Sequence, residues 1–235
     1  MKRGAVVLAA VIAVLIALGA TWSCASWSDT EVDAAELDEP VEVVVLIHGL
    51  GRTHMSMMPM AWWLEDQGYE VVNWGYSSTC CSAEELGEQL AADLAEIESS
   101  DPQRIHFVGH SLGNIIVQSA LEHRSPANTG RVVMLAPPNQ GSESADRYVD
   151  VAGWVLEPLE DLTTDDESTV RRLSPELDDF DVGVIAGQYD GKVSVEESHH
   201  DAEDAHEIVP ARHTFIMNQP DARDLIASFL KTGMF

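Results

Sequence analysis

Residues 105–120 read IHFVGHSLGNIIVQSA, and this stretch decides the fold. Ile105, Phe107 and Val108 make a short apolar run of strand type. It feeds directly into Gly109-His110-Ser111-Leu112-Gly113, a G-x-S-x-G. Ile115, Ile116, Val117 and Ala120 then carry the apolar face of a helix. The bare pattern is common by chance, but a strand before it and a helix after it are the context it needs. A sharp strand-to-helix turn lifts the serine side chain above the sheet in a strained conformation. The flanking glycines are required where neighbouring backbone passes too close for a Cβ. The helix N-terminus favours negative charge developing beside it. Ser111 is therefore the candidate nucleophile.

Outward from this turn, strands alternate with helices. The further runs of strand type are residues 41–47 (VEVVVLI), 69–74, 131–135, 182–186 and a short 207–209. A helix over about 57–67 has Pro59 in its first turn and Gly68 as its stop. Ser82-Ala83-Glu84-Glu85 is a capping box that opens a helix to about residue 97. A last amphipathic helix covers 221–231. This order predicts an α/β domain over 41–235, with a mostly parallel sheet of about six strands and helices on both faces. The one long interruption, 139–180, carries Tyr148, Val151, Ala152 and Val155 at helical spacing. A segment that long inside a compact domain is usually functional, and a lid is expected.

The chain has 235 residues, enough for one domain, and at 45% apolar and 23% charged it is globular in composition. Its formal charge is −27, from 13 bases against 40 acids. Nucleic acid is excluded as a partner, because a polyanion needs a basic surface to release its counterions. Met1-Lys2-Arg3 and the uncharged residues 5–20 have the form of an export signal or an N-terminal anchor over residues 1–28. Residues 5–22 could contact a membrane, and the protein is expected outside the cytoplasm. Residues 29–40 (DTEVDAAELDEP) read as an acidic linker. Cys24 sits in a poor lipoprotein box, and Cys80-Cys81 reads as two small loop residues.

A serine hydroxyl needs a histidine base held by a carboxylate. His213 stands after the last strand and before the last helix, where a loop can swing a base over the serine. His206 is the reserve candidate, His110 lies inside the turn, and His48 more naturally shapes the loop after the first strand. Asp190 follows the strand at 182–186, lies between serine and histidine in chain order and precedes Gly191. It is the candidate acid. The tetrahedral intermediate needs two backbone N–H donors. Leu112, next after the serine, and Leu50, in His48-Gly49-Leu50-Gly51, are placed to give them.

IHGLGRT with Ser56-Met57, GHSLG, VVMLAPPNQGSE, DGKVSVEES and HTFIMN together resemble the α/β-hydrolase superfamily, its small bacterial esterase/lipase-like group in particular. The resemblance covers about residues 41–235 in the same order. It implies hydrolysis of a small-molecule or lipid carboxylic ester through an acyl-enzyme, with Ser111, Asp190 and His213 as the triad. It also implies that Asn139-Gln140-Gly141-Ser142 leads into a variable lid. Ala136 departs from the pattern, standing where glycine is more usual. The superfamily also holds acyltransferases, and a silent membrane-tethered binding module is the rival from another class. No cofactor and no metal is expected for the chemistry. His199, His200, Asp201, Glu203, Asp204, His206 and Glu207 offer ligand types without a recognised metal spacing, and read as a solvated acidic loop. Met55, Met57, Met58, Met60, Trp62 and Trp63 read as packing on the sheet rather than as an acyl pocket.

The charge also predicts a response to salt. Without the leader, Lys2 and Arg3 are lost, leaving 13 − 2 = 11 bases against 40 acids. At 0.01 M salt the Debye length is about 30 Å, comparable to a domain; at 1 M it is about 3 Å. Screening should favour the compact state over the expanded chain. The melting temperature is expected to rise between 0.05 and 1 M salt, in NaCl and in a weakly salting-out salt alike. A flat or falling melting temperature in both would mean that the acidity is a solvated surface on which stability does not depend.

Overall fold

The computed structural model describes residues 41–153, 156–173 and 177–235. The leader, the acidic linker, Cys24 and Val155 lie outside the described residues. Among the described residues no helix is long and apolar enough to cross a membrane.

Six strands form one sheet: β1 (Glu42–Ile47), β2 (Glu70–Trp74), β3 (Arg104–His110), β4 (Thr129–Leu135), β5 (Val182–Gly187) and β6 (Ala205–Val209). Their order is β2-β1-β3-β4-β5-β6, and every pairing is parallel. All six stand where the sequence predicts them, with ends moved by one or two residues. Helices α1 (Met58–Asp66), α2 (Ala83–Ser99) and α3 (Leu112–His123) follow β1, β2 and β3. The interruption after β4 holds α4 (Glu143–Ala152), α5 (Pro158–Asp161) and α6 (Thr169–Arg172). The short α7 (Val195–Ser198) joins β5 to β6, and α8 (Pro220–Thr232) closes the chain.

The pleat of β1 sends Val43, Val45 and Ile47 to one face and Val44 and Leu46 to the other, and all five are buried. Burial on both faces is why residues 41–47 read as a nearly unbroken apolar run. On the first face α2 and α3 contribute Leu86, Leu90, Leu94, Ile115 and Ile116. On the second, Met57, Met60 and Leu64 meet Ile226, Phe229 and Leu230 of α8. Met57 and Met60 are thus core residues, while Met55 and Trp62 are exposed. The capping box is present: Ser82 Oγ accepts from the Glu85 N–H at 3.2 Å, and the Ser82 N–H donates to Glu85 Oε2 at 3.1 Å. The loop before it corrects one expectation. Cys80 and Cys81 are joined to each other as a disulfide rather than standing as two free thiols.

His106 occupies an irregularity between β3 and β4, where the register shifts between Ile105 and Phe107. Its Nδ1 accepts the Arg131 N–H at 2.9 Å, and a Cβ on Gly130 would stand 2.7 Å from that nitrogen. The ring is fully buried. Burial, helped by the charges of Arg131 and Arg104, pushes its pKa from 6.5 down to about 4. The folded state therefore keeps His106 neutral while the unfolded chain takes up a proton below about pH 6.5. The stability this group contributes is complete above pH 6.5 and is lost as pH falls toward 4. In His106→Gln an amide oxygen can accept the Arg131 N–H without titrating. Between pH 7 and 5 the stability difference between wild type and variant is expected to move by about 1–2 kcal/mol in the variant's favour. Urea unfolding at each pH measures it, and a difference that stays constant would refute the neutral, buried ring.

Candidate active site

In the strand order, the chain turns back at β1 and β3, whose neighbours lie on opposite sides. At such a switch point the loops leaving the carboxyl ends part and open a crevice. Residues 48–52 leave β1 there, and Ser111 leaves β3. Ser111 has φ 54° and ψ −123°, outside the regions open to most L-residues, and it caps α3. The crowding expected at the glycines is real. A Cβ on Gly109 would stand 2.3 Å from Asn114 Oδ1, and one on Gly113 2.4 Å from the Ile47 carbonyl oxygen. The Ser111 N–H donates to the Leu135 carbonyl at 3.0 Å. Asn114 Nδ2 lies 3.1 Å from both the Ser111 and the Leu135 carbonyl oxygens, tying the turn to the end of β4.

The structure brings the three residues singled out in the sequence into one hydrogen-bonded chain. His213 Nε2 lies 2.9 Å from Ser111 Oγ, and His213 Nδ1 lies 2.7 Å from Asp190 Oδ2. Asp190 Oδ1 accepts the N–H groups of Lys192 at 2.8 Å and Val193 at 3.0 Å, so the carboxylate cannot swing away. Burial acts to raise the Asp190 pKa. The hydrogen bond and charge of His213 and the two backbone donors outweigh it, and the group stays below its usual value. An ionised Asp190 favours the proton of a neutral His213 on Nδ1, with Nε2 turned to the Ser111 hydroxyl. His206, the reserve base, is engaged elsewhere, with Ser198, His199 and Glu203.

Two neighbouring histidines do structural work. His110 Nε2 donates to the His213 carbonyl at 2.9 Å, bracing the loop that carries the candidate base. Burial, with the His213 charge adding to it, pushes His110 down to about 3, so the brace is a neutral ring. Its other nitrogen faces Gly49, where a Cβ would come within 2.9 Å. His48 stacks on Tyr76 with ring centroids 4.1 Å apart, and Tyr76 Oη donates to the His48 carbonyl at 2.5 Å. This fixes the loop of Leu50 beside Ser111. Leu112 is the first residue of α3, where backbone N–H groups have no partner within the helix. The braces from His110, Asn114 and Tyr76 carried no signal in the sequence. Ala136 has φ 44°, the left-handed conformation that explains why glycine is more usual there.

The described parts of the 139–180 segment cover this end of the sheet. Asn139 accepts from Gln118 Nε2 at 2.9 Å and donates to the Ser198 carbonyl at 3.0 Å. Ser142 Oγ caps α4 and donates to the Lys192 carbonyl at 2.6 Å, which buckles the segment to the Asp190 loop. A cavity of about 630 Å³ opens over Ser111 and His213. Its wall is largely apolar, from Leu50, Val193, and Tyr148, Leu156, Leu159 and Leu162 of the covering segment. Among the described residues that line it, Arg52 and Lys192 are basic and none is acidic.

A serine raised on such a turn, at the switch point of a parallel sheet, is the architecture of an α/β-hydrolase. The family model described as serine aminopeptidase, S33, matches residues 38–174, more than half of the chain, and the chain belongs to that family. Among solved structures it is similar to the Bacillus licheniformis lipase BlEst2 in mature form, at 19% identity and a TM-score of 0.63 over 84% of this chain and 94% of that one. It is also similar to a monoacylglycerol lipase of Paleococcus ferrophilus, at 18% identity and 0.60 over 81% and 94%. A structure reported with carboxylesterases of Nitrososphaera gargenis matches at 14% identity and 0.55 over 83% and 91%. No curated protein matches the chain.

Proposed function

We propose that the chain is a serine hydrolase of carboxylic esters, acting through an acyl-enzyme. The observation that carries this is the hydrogen-bonded series Asp190–His213–Ser111 at the floor of an apolar cavity. In this reading Ser111 Oγ attacks the ester carbonyl while His213 Nε2 takes its proton. The Leu50 and Leu112 N–H groups receive the oxyanion. His213 then hands the proton to the departing alcohol. A water, deprotonated by His213 Nε2, attacks the acyl-enzyme, and Ser111 leaves with that proton. Asp190 stays ionised throughout and stabilises the imidazolium.

The cavity favours an ester over the peptide in the family's description. An aminopeptidase must hold the ammonium of its substrate, a task for carboxylates. The described lining offers two cations and no acid, which would repel that group. Leucine-rich walls suit an acyl chain instead. Residues 5–22 would hold the enzyme at a membrane outside the cytoplasm, within reach of lipid esters, and residues 139–180 would act as the lid.

Ser111→Ala and His213→Ala are expected to lower kcat for p-nitrophenyl esters by about 10⁴-fold or more, by analogy with removal of triad members elsewhere. His206→Ala should keep wild-type kcat. Near-normal turnover by Ser111→Ala would sink the nucleophile, and a loss in His206→Ala alone would exchange the two bases. Ester products formed with an added alcohol, in preference to hydrolysis, would instead indicate an acyltransferase.

The lid carries its own test. Tyr148 and Val151 are exposed on α4, as an apolar surface that opens toward lipid would be. Activity is expected to jump when a poorly soluble ester passes its solubility limit. Smooth saturation through that limit, with no change in proteolysis around residues 148–156, would mean a fixed cap.

A further inference from the structure

The end of α7, the loop after it and the start of β6 hold a cluster apart from the Ser111 site. His199, Glu203 and His206 converge, with one ligand atom from each lying within 4.8 Å of the others. His199 Nδ1 is 2.6 Å from Glu203 Oε1 and 2.8 Å from His206 Nδ1, and His206 Nδ1 is 3.2 Å from the same carboxylate oxygen. Three atoms thus meet at a single point.

Protons alone do not satisfy this triangle. Ser198 Oγ donates to the Val195 carbonyl at 2.6 Å, so toward His206 Nε2, at 3.3 Å, it must accept. In a neutral His206 the proton therefore sits on Nε2 and Nδ1 presents a lone pair, and a second proton on Nδ1 would serve Glu203 without satisfying all three contacts. That lone pair faces a carboxylate oxygen, which also has no proton to give. A proton on His199 Nδ1 can point at Glu203 or at His206, and one contact stays repulsive either way. A positive centre shared by all three removes the conflict.

We propose that His199, Glu203 and His206 bind a divalent transition metal, zinc foremost. Two imidazoles and one carboxylate are a donor set of the zinc type rather than the all-oxygen type of calcium or magnesium. With metal–ligand distances of about 2.0–2.1 Å, tetrahedral ligand atoms stand about 3.3 Å apart, so the contacts, now 2.6, 2.8 and 3.2 Å, need only spread by well under 1 Å. The outer groups are in place. Ser198 fixes the His206 ring, and the His200 N–H donates to Glu203 Oε2 at 3.1 Å. Glu203 and His206 are largely shielded while the His199 side chain is half exposed, which leaves the fourth position to water. The ion would clip the end of α7 to the start of β6, in the chain between Asp190 and His213. It takes no part in the chemistry at Ser111.

The test uses the full-length protein, stripped with a chelator and titrated with zinc chloride against a chromophoric competitor. Metal content is read by mass spectrometry, and cobalt substitution by its visible ligand-field bands. One equivalent of zinc is expected, with tetrahedral-type bands for cobalt and a melting temperature several degrees higher. His199→Ala, at an exposed position, and the isosteric Glu203→Gln should fold as wild type and lose at least tenfold in affinity. Asp201→Asn and Glu207→Gln, exposed acids beside the cluster, should bind as wild type. Zinc uptake that is absent in wild type, or undiminished in both ligand variants, would overturn the site and leave a hydrogen-bonded cluster on an acidic surface. None of these readouts depends on ester hydrolysis.

Discussion

Ser111 is held at φ 54° and ψ −123°, a conformation that costs an L-residue on the order of 1–3 kcal/mol and persists only where its surroundings enforce it. The enforcement is visible on every side. β3 enters the turn already paired to β1 and β4, and α3 leaves it with its first turn pressed on the carbonyls of Ile47 and His48. Asn114 reaches back to two carbonyls, one of them in β4. Relaxing the serine would mean moving two central strands and a buried helix together. What this rigidity provides is position. The hydroxyl stands at the open end of the sheet, beside a helix N-terminus and the loop of Leu50.

The other two members arrive from neighbouring strands. Asp190 follows β5 and His213 follows β6, the edge strand. An edge strand pairs on one side only, and β6 is accordingly supported from elsewhere. His110 holds the His213 carbonyl from the elbow itself, and the Gln188 and Tyr189 N–H groups donate to the carbonyls of Val209 and Ala211. Asp190, gripped by two backbone N–H groups, then orients the imidazole from behind. His213 is thus held from three directions, at the start of a short 3-10 helix (His213–Asn218).

The legible part of this molecule is the part fixed by period and order. Buried parallel strands need apolar runs, amphipathic helices need a stripe, and the turn at Ser111 needs its glycines; all of these are local patterns. Asp190 and His213 could be singled out because loops at strand ends are where a candidate acid and base would stand, and the structure brings both into the series with Ser111. The braces were not readable. Asn114, Tyr76 and Ser142 act through backbone carbonyls far away in sequence, and a carbonyl leaves no residue signature. His199, Glu203 and His206 fail in another way. Their spacing is split between a turn and a strand, and on a chain with 40 acids their residue types are too common to stand out. Cys80 and Cys81 are bonded to each other within a loop, and adjacency in a loop is a pattern that two unpaired small residues share.

The acidity and the interior obey different rules. A charge of −27 should raise the pKa of every histidine, yet His48, His106 and His110 are all lowered, with burial the largest cause in each. Exposed charges act through water and ions, with a reach of about 8 Å at physiological ionic strength, whereas desolvation acts at the group itself. The same separation appears at the cavity. In a chain with only 13 bases, two line the wall over Ser111, and no acid among the described residues does. The acidic character therefore stops at the crevice. The exposed surface carries the negative charge, while the wall over Ser111 is largely apolar and, among the described residues, its only charged side chains besides histidine are Arg52 and Lys192.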